Sequence, residues 1–305
     1  MSDRLVDALN TMYGTHPGHR AAHAKGVLCA ATFTGTPEAA ELSRAAHLAG
    51  TPLRAHVRFS NGNGDPTTPD GARDARGVAV KVYLPDGGTT DIVGITLPVF
   101  FVRTPEDLLA FNEARRPDPA TGELDMEKVG GFLAAHPEAV PAVTAAITSP
   151  MPESYARLTY HGIHAFRFVA ADGSARHARW HFVPDEGEAA ISDDDAAGRG
   201  PDYLREELAD RLAARPAGFH LELELAEPDD PLDDPTAAWP EGHTRVRVAR
   251  VEVTGLAFDR ERDGDVLVFD PTRVPDGVEL TPDPILHARS GAYGVSVARR
   301  SAAPA

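Results

Sequence analysis

The chain opens on a helical period. Leu5, Ala8, Leu9 and Met12 fall on one face of residues 1–14, with polar side chains between them. From residue 25 the period drops to two. Residues 25–34, Leu53 to Ser60, Gly77 to Leu84 and Thr90 to Gly94 alternate apolar and polar positions, the pattern of half-buried strands. Pro85-Asp86-Gly87-Gly88 turns the chain between the last two. Val99-Phe100-Phe101-Val102 predicts a short buried strand, and Pro37-Glu38 opens an expected helix over 37–48. Helical spacing governs 105–148, interrupted at Pro117-Asp118-Pro119, Pro137 and Pro141. Strands return at 161–170 and 174–183 around Ala171-Asp172-Gly173, a hairpin signal. A helix over 201–213, long strands from Phe219 to Leu225 and Thr244 to Val253, and a last helix over 284–300 follow.

About eight strands joined by antiparallel turn signals, with helices gathered in the middle and at the end, predict an α+β protein. Its expected frame is an antiparallel β-barrel with surrounding helices. No βαβ alternation and no fixed-period repeat is visible. Residues 1–305 read as one domain, with the acidic, proline-rich stretch 227–238 as a surface excursion.

Composition narrows the function classes. The formal charge is −16, which disfavours nucleic acid and anionic membranes as partners. Cys29 is the one cysteine, so no intrachain disulfide is possible. The first residues carry no secretory pattern, and no run approaches the ~18 apolar residues of a membrane span. A cytoplasmic location is expected.

Candidate chemistry concentrates in the last helix. Arg289 and Tyr293 are four apart and share a face. Arg300 falls within about 40° of both at ~100° per residue. A guanidinium beside a phenol favours its ionised form, a usable ligand for ferric iron. The same spacing also fits a solvated basic helix end. Arg20-Ala21-Ala22-His23-Ala24-Lys25-Gly26 places an imidazole at a loop-to-strand junction, where it can move a proton. Val57-Arg58-Phe59-Ser60-Asn61-Gly62-Asn63-Gly64 lacks the rest of a phosphate-loop pattern. Arg73-Asp74-Ala75-Arg76-Gly77 reads as a salt-bridged turn before a strand.

In their order along the chain, these segments resemble the haem catalase family, and its small catalase-related peroxidase branch in particular. The match continues through Val78-Ala79-Val80-Lys81, Asp91-Ile92-Val93-Gly94, Pro98-Val99-Phe100-Phe101, Phe269-Asp270-Pro271 and Thr281-Pro282-Asp283, and covers about residues 19–300. The resemblance implies haem b, with Tyr293 as the iron ligand and Arg289 holding it as phenolate. It implies His23 as the distal acid–base group, with Ser60 fixing its ring. Arg20, Arg58 and Arg300 would bind the haem propionates, a task suited to forked guanidiniums. Phe100 and Phe101 would help wall the haem pocket, although Phe100 also reads as an ordinary core residue. The implied activity is reduction of hydrogen peroxide or organic hydroperoxides by an organic electron donor.

One departure stands out. Typical catalases carry Asn directly after the Val-Gly pair; here Ile95 occupies that position. Isoleucine cannot hydrogen-bond a peroxide, so weak catalase activity is expected. The chain lacks the long arm and the C-terminal extension of larger catalases, which predicts a monomer or homodimer. No convincing nucleotide-binding set is present, so NADPH is not expected. Three alternatives remain open: an allene-oxide-synthase-like hydroperoxide isomerase, a non-catalytic haem-binding protein, and a haem-free metal site drawn from His16, His19, His161, His164, His177 and His181.

Overall fold

Alternation along the sequence becomes a closed barrel. A computed structural model describes residues 1–118, 120–258 and 266–302. Its strands are β1 (Gly26–Gly35), β2 (Leu53–Asn61), β3 (Arg76–Tyr83), β4 (Thr89–Ile95), β5 (Met151–Pro152), β6 (Tyr160–His161), β7 (Phe166–Val169), β8 (Ala175–Pro184), β9 (Ala190–Ile191), β10 (Ala217–Leu225), β11 (Arg245–Leu256) and β12 (Val278–Leu280). Its helices are α1 (Ser2–Tyr13), α2 (Ala39–Leu42), α3 (Pro105–Ala114), α4 (Met126–Ala135), α5 (Val140–Thr148), α6 (Asp193–Gly198), α7 (Tyr203–Ala214) and α8 (Pro284–Ala302).

Strands run in the order β10-β11-β1-β2-β3-β4-β6-β8, and pairing of β8 with β10 closes the ring. Closure leaves no unpaired edge among these eight. β7 and β12 extend from β8 on the side away from closure. The interior is apolar: Phe33, Phe59, Val80, Ile92, Phe182, Phe219 and Val251 all belong to its core. Phe59 stacks on Tyr155 at 5.7 Å between ring centroids.

The outer face of the barrel explains where the polar chemistry goes. β2 is buried on both faces from Ala55 to Asn61. Its inward residues are Ala55, Val57 and Phe59, so the outward residues Arg58 and Ser60 are buried beneath the elements covering the barrel. Polar side chains hidden on the outside of a barrel are the first structural mark of a site.

A second, smaller core lies outside the barrel. Val102, Phe111, Phe132, Ala139 and Ile285 form it, with Phe100 and Phe101 packed against them. Phe101 stacks on Phe111 at 5.0 Å. Ile285 ties the start of α8 to this cluster, while Arg299 binds Asp7 of α1 at 2.7 Å near the other end. Gly291 lets the two helices approach: a Cβ there would lie 2.3 Å from Ser2 Oγ.

Three expected elements differ. The helix over 37–48 divides into α2 and a single 3-10 turn at Ala46–Leu48. Between them the Ser43 hydroxyl donates to Gly277 O at 2.7 Å and the Arg44 N–H to Val169 O, so tertiary bonds replace helical ones. Val99–Val102 is not a strand; the Phe100 N–H donates to Pro235 O in the 227–238 excursion, not to a ladder. The strand over 161–170 splits into β6 and β7 at Gly162, whose Cβ would collide with the Trp180 ring at 2.1 Å. Pro119, part of one expected helix break, lies outside the described residues. Among the described residues no helix is long and apolar enough to cross a membrane.

Candidate active site

Helix α8 presents its chemistry through a relay that begins at its own cap. Asp283 precedes the helix, and its Oδ1 accepts from the N–H groups of Ile285 and Leu286 at 2.8 and 3.2 Å. Its Oδ2 bonds His164 Nδ1 at 2.6 Å. His164 Nε2 in turn meets Arg289 Nη1 at 3.1 Å. Arg289 then donates twice to the Tyr293 hydroxyl oxygen, from Nε at 3.1 Å and Nη2 at 2.5 Å. Burial lowers the His164 pKa, partly opposed by the bond to Asp283, and Arg289 lowers it further. A neutral ring with its proton on Nδ1 satisfies both contacts: it donates to the carboxylate and accepts from the guanidinium. Two charged donors on one phenolic oxygen suit an oxygen that bears negative charge.

His23 occupies the loop before β1 in a left-handed conformation, φ 55°, unique among the described non-glycine residues. Its backbone is held on either side: His23 N–H donates to Gly62 O, and Ala24 N–H to Asn63 O. Such strain persists where the surroundings over-determine it. The ring is fixed by Ser60, whose Oγ lies 3.0 Å from Nδ1. Gly77 of β3 supplies the space: a Cβ there would sit 2.8 Å from His23 Cε1 and 3.0 Å from Ser60 Oγ. Burial pushes the His23 imidazole down to about 3, and the Arg58, Arg289 and Arg20 guanidiniums push in the same direction. It is therefore neutral at physiological pH. Those couplings also show that α8, β2 and the Arg20 loop share one electrostatic field at His23.

The predicted arginines gather as well. Arg20 Nη2 and Arg300 Nη2 both donate to Leu267 O, at 2.8 and 3.4 Å. Arg58 Nη2 donates to Ala24 O at 3.3 Å, beside the His23 loop. Gly26 admits that guanidinium, since a Cβ would lie 2.7 Å from its Cζ. Arg20 and Arg58 line a cleft of about 270 Å³ together with Leu267, Phe269 and Tyr155. Arg58 and Arg300 are buried.

Phe100 and Phe101 belong to the second core, in edge-to-face contact at 5.6 Å, and both keep some exposed surface. Both rings therefore pack on the second core and leave part of their surface free. Ile95 ends β4 directly opposite Gly77, in the ladder position next to the His23 slot. Of the histidines considered for a haem-free metal, His161 and His181 meet at 3.0 Å, but among the described residues no group of three His, Cys, Asp or Glu is arranged to hold an ion. Sequence reasoning gave Asp283 no role and weighed His164 only as a candidate for the haem-free metal site, not as the partner of Arg289. The helix-capping position of Asp283 was readable, but its partner lies 119 residues away.

Known proteins resemble this chain over nearly its whole length. The family model described as Catalase matches residues 4–303. A catalase-related peroxidase of Mycolicibacterium paratuberculosis is 43% identical over 302 residues, covering 98% of this chain and 94% of the relative. One of Synechococcus elongatus is 32% identical, covering 98% and 88%. A catalase of Methanosarcina barkeri is 26% identical, and the match takes in 95% of this chain and 60% of that longer one. A solved fungal catalase structure shares the fold, with TM-score 0.84 and 24% identity over 97% of this chain and 62% of that chain.

Proposed function

The chain belongs to the catalase family and is an oxidoreductase acting on peroxide, and from that premise we propose that it binds haem b through Tyr293 and reduces hydroperoxides with electrons from an organic donor. The observation that carries the reading is the double donation of Arg289 to the Tyr293 oxygen, within the same field as His23. It is the arrangement an anionic iron ligand needs.

The residues fit the group. Arg20, Arg58 and Arg300 place guanidinium forks around one cleft and one carbonyl, a donor set matched to two carboxylates. Ser60 and Gly77 hold His23 in one orientation. When bound, the haem supplies the iron at which the peroxide O–O bond is cleaved.

The chain's own residues handle the protons. With Ser60 Oγ accepting from Nδ1, His23 Nε2 carries a lone pair. Its neutrality lets Nε2 take the proton of the nearer peroxide oxygen and return it to the farther one, which leaves as water or alcohol. Asp283 and His164 hold Arg289 against Tyr293 throughout.

Ile95 shapes the outcome. Dismutation requires a second peroxide to be oriented, and isoleucine offers no donor or acceptor for it. Loss of one such donor costs about 3 kcal/mol, or roughly 100-fold or more in rate. Oxidation of an organic donor therefore outruns dismutation. The test compares peroxide-driven oxidation of a phenolic dye with oxygen evolution in the same preparation. Dye oxidation with slow oxygen release is expected; oxygen evolution at the rate of ordinary catalases removes the donor-dependent reading.

A further inference from the structure

A hydrogen-bonded line of two histidines and a glutamate lies on the outer face of the barrel, one strand beyond Ile95. The ladder fixes its place. Ser60 stands opposite Gly77, Gly77 opposite Ile95, Ile95 opposite His161, and His161 opposite His181. Residues directly opposed in antiparallel strands project from the same face. His161 therefore shares the face of Ser60, the residue that holds His23, and its backbone is about 10 Å from Gly77 at two strand spacings. Ile95 lies between them.

The bonding along this line points the His161 ring. His181 Nε2 lies 2.7 Å from Glu224 Oε2, and Arg245 Nη2 reaches the same oxygen at 3.3 Å. The carboxylate requires a proton on His181 Nε2, which leaves His181 Nδ1 as an acceptor. His161 Nδ1 lies 3.0 Å from it and must donate. His161 Nε2 is thus left with its lone pair. Among the described residues it has no hydrogen-bond partner, and it is not among the buried unsatisfied atoms. His161 is only partly buried and its Nε2 keeps accessible surface, so a donor from outside the chain can reach this acceptor. Burial, with His181 and Arg245, lowers the His161 pKa to about 3, so the ring is neutral as the bonding requires.

We propose that Ile95 and His161 form the docking site of the electron donor, and that the donor is a phenol. The ring lies against Ile95, and the hydroxyl donates to His161 Nε2. This deepens the peroxidase reading and rests on it. As the phenol is oxidised its O–H bond breaks: the proton passes to His161 Nε2, the electron would go to the haem that the chain would hold, and His161 releases each proton to the water being formed before the next phenol reacts. Two phenols supply the two electrons and two protons that convert ROOH into ROH and water, leaving two phenoxyl radicals. His181 and Glu224 act as positioning residues: they hold the His161 tautomer and give the displaced charge a place to settle.

Two measurements on the haem-loaded protein decide the matter. The first is equilibrium binding of p-cresol, followed by relaxation of its ring protons. The second is transient oxidation of p-cresol, taken relative to the peroxide step of the same variant. Wild type is expected to bind p-cresol saturably. His161→Phe is expected to weaken binding and slow relative oxidation by at least tenfold. His161→Gln, which restores an acceptor, is expected to recover binding; it also guards against a folding defect. Glu224→Gln, which still accepts from His181, is expected to keep binding while slowing oxidation. Unchanged binding and oxidation in His161→Phe would overturn the proposal. A wild-type protein inert to peroxide would instead overturn the peroxidase reading, and the p-cresol equilibrium would still decide the site at His161.

Discussion

The ring of His23 fills the space in which a side chain at Gly77 would begin. A Cβ at 77 would stand 2.8 Å from His23 Cε1 and 2.9 Å from Nδ1. Glycine is needed there for volume, not for backbone freedom, since its φ is not positive. Gly77→Ala is expected to leave the barrel folded, because β3 remains paired on both sides. It should swing the imidazole off Ser60 and slow peroxide cleavage by roughly 100-fold, the usual worth of a placed acid–base group. Stopped-flow kinetics with hydrogen peroxide checks this, with circular dichroism as the control for folding.

Position 95 offers the converse experiment. Ile95→Asn returns a donor and acceptor to the ladder position beside Gly77. Oxygen evolution should rise about 10- to 100-fold if a missing hydrogen bond limits dismutation. Phenolic dye oxidation should not rise with it. An oxygen electrode and a dye assay on the same samples read both.

The relay behind Tyr293 predicts a graded result. Asp283→Ala removes the helix cap and the partner of His164 together. Loss of the cap alone costs about 1 kcal/mol. His164, without its acceptor, no longer fixes the bond to Arg289. Thermal unfolding should show the small loss of stability, and the haem absorption spectrum should shift because the charge on its tyrosine ligand is less well held.

Acid sensitivity follows from buried histidines. Burial pushes His23 and His161 down to about 3 and His47 to about 4. In the unfolded chain these rings titrate near 6.5. Between those values the unfolded state binds more protons, so stability falls as pH falls. The window runs from about pH 6.5 downward to the folded values. His47 has no part in the proposed chemistry, and its buried Nδ1 has no partner. His47→Phe should therefore reduce the loss of stability between pH 7 and pH 4 by about 2–3 kcal/mol. Urea unfolding at several pH values measures it.

Much of the frame was legible because strand alternation survives wherever one face is core and the other is solvent. β1 and β10 show it cleanly. β2 does not, since both its faces are buried, and there the informative residues are the polar ones. The Arg289–Tyr293 pairing was readable from helical spacing alone, and the Ser60 and His23 contact from the family pattern. The rest depended on distance along the chain. His164 meets Asp283 across 119 residues, and no local period announces that contact. Val99–Val102 misled because an apolar run reads alike in a strand and in a turn packed into a second core.

The central claim is that the Tyr293 oxygen, held by Arg289, ligates the iron of a haem. The absorption spectrum of the purified, haem-reconstituted protein tests it most directly, with Tyr293→Phe beside it. The account predicts a high-spin ferric tyrosinate spectrum that the substitution alters or abolishes. A protein that stays colourless after reconstitution, or a Tyr293→Phe spectrum identical to wild type, would contradict it.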